Sequence, residues 1–438
     1  MSSGMRWGRA LLWMLGLALL LPSLAGALSA AAAPQPIEIA GIPLEFFLFG
    51  LTLLGVALFH HKTLEVAVTG LSVITLYKIV FTGFREGSGL TGFVSHLGHE
   101  WVVIFNLLGL LLGFALLARH FEESEIPKVL PRYLPDDWKG PLVLLIIVFV
   151  LSSFLDNIAA ALIGGAMAHT LFRGKVHIGY IAAIVAASNA GGSGSVVGDT
   201  TTTMMWIHGV PPSAVFHAYV AAGLALFICG IPASLQQHKH SPILKDAGPG
   251  VRVDWARVGI VAFILASAIA ANIFINVVYT EHSDSFPFIG AAVWVALLLM
   301  TPLRRPEWSL LPGAFKGAIF LLSLVFAATM MPVERLPAAA WQTAFGLGFL
   351  SAVFDNIPLT ALALAQGGYD WGMVAYAVGF GGSMIWFGSS AGVAISNMYP
   401  EAKSVGNWLK GGWHVTVAYI LGFFVLLATL GWQPHAAH

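Results

Sequence analysis

Apolar stretches recur along almost the whole chain, at 42–59, 64–82, 101–118, 140–172, 213–234, 257–279, 286–302, 315–332, 338–366 and 411–431. A hydrocarbon core about 30 Å thick takes roughly 20 apolar residues to cross as a helix, so each is read as a membrane span, the longer ones with room for a break. Two more apolar segments, 177–207 and 371–398, are crowded with Gly, Ser and Thr and are predicted to be re-entrant hairpins. The fold class that follows is an all-α polytopic membrane protein. Residues 1–33 hold Arg6 and Arg9, the apolar run Ala10 to Leu21, Pro22 and the small-residue tract Ala25 to Ala33, the order of a secretory signal peptide. Cleavage there would leave the mature N-terminus on the extracytoplasmic side.

Composition agrees with the pattern. Of 438 residues, 58% are hydrophobic and 10% charged, where soluble domains carry roughly 25% charged residues. Lys and Arg balance Asp and Glu at a formal net charge of +0, so no basic surplus points to nucleic acid. The single cysteine, Cys229, excludes an intrachain disulfide framework. With the N-terminus outside, the inside loops hold fourteen cations, among them Lys62, Arg119, Lys128, Arg132, Lys139, Lys245, Arg257, Arg304 and Lys410, against Arg85, Arg173, Lys175 and Arg335 outside. That bias orients the chain by the positive-inside rule and predicts a multi-pass protein of the inner (plasma) membrane. Trp101, Trp138, Trp255, Trp308, Trp371 and Trp408 fall near span ends, as interfacial anchors would.

An internal repeat refines this. Ser152-Ser-Phe-Leu-Asp-Asn-Ile158 recurs as Ser351-Ala-Val-Phe-Asp-Asn-Ile357, and Gly191, Gly192, Ser193 and Gly198 recur as Gly381, Gly382, Ser383 and Gly388. By the charge pattern, 140–172 runs outward and 338–366 inward, so 42–234 and 257–431 are predicted to be two inverted-topology repeats with broken helices and re-entrant hairpins, joined by a cytoplasmic linker at 235–256. Such repeats are characteristic of secondary transporters, whose sites lie near mid-membrane between them.

The repeated motifs place carboxylates there. An intramembrane Asp costs about 2.5–3.5 kcal/mol on insertion scales and is tolerated mainly where it faces protein or a wet cavity. Asp156-Asn157 and Asp355-Asn356 sit mid-segment, and Pro358 predicts a helix break at the second pair, with the first following by repeat. Asn189, Ser193, Ser195, Asp199 and the run Thr200 to Thr203 cluster in the first hairpin. Asp199 would cap a helix starting at Thr200, but at membrane depth it is a candidate ion ligand. In the second hairpin Ser383, Ser389, Ser390 and Asn397 offer neutral oxygens, and Ser389 stands where Asp199 would fall.

At these residues the chain resembles the NhaD-type Na+/H+ antiporters, of the ion transporter superfamily that also holds citrate, dicarboxylate and arsenite carriers. The resemblance covers about 45–430 and is strongest at Ser152–Ile158, Ser188–Trp206, Ser351–Leu359 and Gly379–Gly392. It implies a homodimer that exports Na+ or Li+ in exchange for protons, with Asp156, Asn157, Asp199, Thr201, Asp355 and Asn356 as site residues. Family members often have hydroxyl residues soon after the first Asp-Asn, whereas Ile158-Ala159-Ala160 follow here, which leaves ion preference open.

Sodium is a hard cation served by oxygen ligands, and the sodium site is expected at Asp156, Asp199, Thr201 and Asp355. Desolvation and like-charge repulsion disfavour three ionised carboxylates together, so protons and Na+ would compete for them. No cofactor is expected beyond the transported ions. The alternative is a Na+-coupled di- or tricarboxylate symporter, disfavoured by the uncompensated acidic groups and by Ser188-Asn189-Ala190, which lacks a Thr. An intramembrane aspartyl hydrolase would leave the hairpins without a role, so the protein is expected not to be an enzyme. His60, His61, His96, His99, His120, His238 and His240 are read as solvated, Glu122, Glu123 and Glu125 as a solvated acidic patch, and His208, just past the Thr run, as the candidate pH-sensing residue.

Overall fold

A computed structural model describes residues 37–59, 62–129, 133–243, 252–279, 282 and 285–435. The predicted signal peptide at 1–33, His60, His61, Arg132 and Lys245 lie outside them. A two-residue hairpin, Glu38–Ile39 with Ile42–Pro43, precedes the first helix. The rest of the described chain is mainly helical. The first half carries α1 (Leu44–Leu58), α2 (Thr63–Tyr77), α3 (Gly89–Glu122), α4 (Lys139–Ser152), α5 (Asn157–Leu171), α6 (Ile178–Ser193), α7 (Thr200–Ile207) and α8 (Ala218–His240). The second carries α9 (Trp255–Ile273), α10 (Phe288–Met300), α11 (Leu311–Thr329), α12 (Trp341–Ser351), α13 (Asn356–Gln366), α14 (Trp371–Gly381), α15 (Ser390–Met398) and α16 (Trp413–Leu430).

Among the described residues, six helical stretches are long and apolar enough to cross a bilayer, and shorter apolar helices accompany them. This is an all-α polytopic membrane protein. Two of the predicted spans are broken. The segment at 140–172 divides into α4 and α5 at 153–156, and 338–366 divides into α12 and α13 at 352–355. Pro358 sits in the first turn of α13, where its missing N–H costs nothing. The first break has no proline, so what the two share is an aspartate capping the second piece: Asp156 accepts from the Ile158 amide at 3.1 Å and Asp355 from the Ile357 amide at 3.1 Å. The hairpins are built alike, α6 to α7 through 194–199 and α14 to α15 through 382–389. Helix α8 runs on to His240, so 235–240 of the predicted linker is helical.

The helices sort into two packed groups, each drawing on both halves of the chain. One comprises α1, α2, α3, α9, α10 and α11; the other comprises α4 to α8 with α12 to α16. They meet chiefly where α11 runs along α13 and α3 along α7. Helices α6 and α14 lie at the centre of the second group and are buried along almost their full length. In a bilayer no hydrophobic drive separates helix from lipid, so close association rests on small residues that let backbones approach. Helix α6 supplies them as Ala182, Ala183, Ala186, Ala187 and Ala190, all fully buried.

Several side chains lie otherwise than the sequence suggests. Trp371 and Trp408 are buried, not interfacial, and Trp408 Nε1 donates to the Ser383 carbonyl at 3.2 Å. His96 is buried between Glu86 at 3.0 Å and Thr329 Oγ1 at 3.1 Å, and His120 is buried against Arg257 at 2.8 Å. Glu122 and Glu123 are not a loose acidic patch, because Arg119 reaches both, at 3.0 and 3.3 Å, and Arg257 reaches Glu123 at 2.7 Å. Asn397 is exposed, accepts from Lys403 Nζ at 2.9 Å and takes no part in the site described next.

Candidate functional site

Four helix N-termini end inside the second group, those of α5, α7, α13 and α15. Their caps are Asp156, Asp199, Asp355 and Ser389. Unpaired amides at a helix start are electropositive and must find acceptors where water is scarce. Asp199 accepts from the Thr201 amide at 2.9 Å and Ser389 from the Gly392 amide at 3.2 Å. Capping therefore uses part of each carboxylate and leaves oxygen lone pairs over. Between the hairpins Asp199 stands against Ser389, a carboxylate against a hydroxyl, which is the chemical inequality read from the sequence.

A cavity of about 380 Å³ opens on these caps. Asp156, Asn157, Asp199, Thr200, Asn356 and Ser390 line its inner end, and α3 and α11 form its opposite wall. Asp355 touches the cavity through Ser390, whose hydroxyl donates to Asp355 Oδ2 at 2.9 Å. Arg119 and Glu122 line the outer end, and the sequence reading did not connect them with the site. Their spacing of three on one helix face, about three to four turns beyond Leu107, is the signal the sequence offers. Beside that mouth Arg119 donates to Glu307 at 2.6 Å, and Arg304 to Asp254 at 2.8 Å, which hold both carboxyls below their usual range. These exposed pairs are present at neutral pH and fade as pH falls through the lowered carboxyl values.

A buried network lies behind the cavity. Asn157 Nδ2 donates to Asp199 Oδ2 at 2.8 Å and to Asn189 Oδ1 at 3.1 Å. Asn189 Nδ2 in turn reaches across to Ser383 Oγ at 2.9 Å and Ser389 Oγ at 3.1 Å, tying the first hairpin to the second. The second half cannot repeat this, because Gly379 and Ser389 replace Asn189 and Asp199. Asn356, the counterpart of Asn157, accordingly keeps Nδ2 without a hydrogen-bond partner among the described residues, buried at 2% exposure on the cavity wall.

The remaining residues divide between support and site. Ser193 Oγ donates to the Ala190 carbonyl and Ser195 Oγ to the Ser153 carbonyl, so both serve the backbone. Thr202 and Thr203 hydroxyls donate to the carbonyls of Ser195 and Val196, which at membrane depth would otherwise go unpaired. Thr201 is fully buried with Oγ1 unpartnered among the described residues, and it does not line the cavity. His208 sits at the far end of α7, Nδ1 against the Met204 carbonyl at 2.8 Å, away from the carboxylates. Because Asn189 leaves three buried polar partners behind when truncated, Asn189→Ala is expected to cost about 1–3 kcal/mol of stability, read as a lowered thermal midpoint of the detergent-solubilised protein.

No protein-family model matches the chain. Among curated proteins it is 24% identical over 292 residues to sodium/proton antiporter 1 of Arabidopsis thaliana, a match covering 58% of this chain and 49% of that protein. It is 22% identical over 326 residues to the Na+/H+ antiporter NhaD of Halomonas elongata, covering 64% and 66%, and 23% identical over 293 residues to NhaD of Vibrio parahaemolyticus, covering 57% and 71%. The chain thus spans about half the length of the plant relative and about two thirds of the bacterial ones. In sequence, this polytopic membrane protein resembles the NhaD-type Na+/H+ antiporters.

Proposed function

We propose that the protein exchanges cytoplasmic Na+ or Li+ for external protons, with both ions competing for Asp156, Asp199 and Asp355. The observation that carries this reading is the convergence of aspartate-capped helix starts on one cavity whose inner end bears no Lys or Arg. A hard monovalent cation finds carboxylate, amide and hydroxyl oxygens there. An anionic substrate would meet three carboxylates. The names of the relatives support the same reading.

In this reading Na+ enters from the Arg119–Glu122 mouth, which the charge pattern places in the cytoplasm, and displaces protons from the carboxylates. Protons arriving from the opposite side then displace Na+. Competition at shared ligands couples the two fluxes without a separate proton wire. The two halves act as inverted-topology repeats in a homodimer of the inner membrane, with the N-terminus outside. Inverted vesicles carrying the protein, acidified by respiration and monitored with a pH-sensitive acridine dye, are expected to release protons on addition of NaCl or LiCl. No response to NaCl, LiCl or KCl at neutral or alkaline pH would overturn the proposal.

A further inference from the structure

Four of the helices that line the carboxylate cavity, α3, α7, α11 and α13, also line a second one, of about 580 Å³, at their other ends. On α3 the lining passes from Leu107, in the first cavity, to Val103, in the second; on α11 it passes from Leu321 to Val325. On α13 it passes from Ile357 to Ala361, and on α7 from Thr203 to Met204. Three of these steps are four residues, which at 1.5 Å per residue is about 6 Å. The two cavities thus lie end to end, parted by roughly one helical turn. Leu107, Met204, Leu321, Val325 and Ile357 are all buried there, and Thr203 Oγ1 is spent on the carbonyls of Val196 and Asp199.

The second cavity is polar at its rim. His96 is fixed by Glu86 and Thr329, while Arg85 donates to Glu334 at 3.0 Å and to the Ala365 carbonyl at 3.2 Å, joining the loop before α3 to the end of α13. Arg85 and Arg335 mark this end as the outside in the charge pattern. We infer that this second cavity is the extracytoplasmic half of the ion path, closed from the carboxylates by an apolar septum about one turn thick. The inference rests on the exchanger reading for what passes, and on the geometry alone for where it passes. A hydrated cation entering the septum would lose water and gain no oxygen ligand, so the barrier holds without a charged gate. Reaching the outside needs only that α7 and α13, which carry capped starts, shift along α3 and α11 by a distance of that order.

The path is tested by sidedness of thiol labelling in the full-length chain with its sole cysteine removed, Cys229→Ser. Val103→Cys and Leu364→Cys report the second cavity and Ala314→Cys the first. With a membrane-impermeant methanethiosulfonate, V103C and L364C are expected to react in right-side-out vesicles and not in inverted ones, and A314C the reverse. Adding Leu107→Ala and Leu321→Ala to V103C is expected to make it reactive from both sides. Reaction of V103C and L364C from the inner face only, or one-sided labelling that persists after the septum is thinned, would overturn the inference. Sided labelling together with no cation-driven proton release would refute the exchange reaction while supporting the path.

Discussion

Asp199→Asn is expected to abolish Na+-driven proton release while leaving folded protein in the membrane. The asparagine can still cap α7 through its carbonyl oxygen, as Asp199 does toward the Thr201 amide. It cannot also accept from Asn157 Nδ2, because its second group is now a donor facing a donor. One charge and one proton-carrying oxygen are lost together. Hydrogen bonds to charged groups contribute about 1.5–3 kcal/mol, which corresponds to roughly 10- to 150-fold in cation affinity, and the exchange of a proton at that carboxylate ceases altogether. Asp355→Asn keeps both contacts, since its amide oxygen still caps the Ile357 amide and its Nδ2 can donate to Ser390 Oγ, a hydroxyl able to accept as well as donate. It is expected to fold as well as the parent and to lose transport through charge alone. The dye assay on Asp156→Asn, Asp199→Asn and Asp355→Asn, with size-exclusion profiles as the folding control, decides the matter. Transport retained in all three would refute the site.

The spans and both helix breaks were legible because they are local: apolar run length, a paired Asp-Asn, glycines between. Asp156, Asn157, Asp199 and Asn356 stand out in the sequence as polar groups at membrane depth, and the fold places them on one cavity. What the sequence hid depends on contacts between distant segments. Asn189 looked like one polar residue among several, yet it joins the hairpins over a separation of about 200 residues. Thr202 and Thr203 read as two more hydroxyls of the polar cluster, and they satisfy loop carbonyls, a demand visible only once the loop's path is known. Trp371 and Trp408 lie near span ends in sequence, but their burial is decided by the helices packed over them. The excess of cations in one set of loops is legible in the sequence, whereas the pairing of Arg119 and Arg257 with Glu122, Glu123 and Glu307 needed the fold.

The glycines that match between the halves carry the last and largest stability effect. A Cβ on Gly198 would overlap the Ser152 carbonyl at the end of α4, and one on its counterpart Gly388 would come within 2.5 Å of the Ala352 carbonyl beyond α12. Gly191 and Gly381 stand in the same relation to the carbonyls of Phe149 and Gly348. In each half, then, the hairpin loop presses backbone to backbone against the broken helix, and that contact holds the capped helix start at its depth. Neither partner is a flexible side chain, so a methyl group cannot be absorbed by a rotamer change. Overpacking in a close-packed interior costs about 1–3 kcal/mol where side chains can yield and more where they cannot. Gly198→Ala is expected to exceed that range and to deplete folded protein in detergent, while Gly223→Ala, on α8 with nothing within 4 Å of the added carbon, leaves it unchanged. Equal thermal midpoints for the two variants would show that the hairpin is not wedged against α4, and with it would fall the reason Asp199 sits beside Asn157.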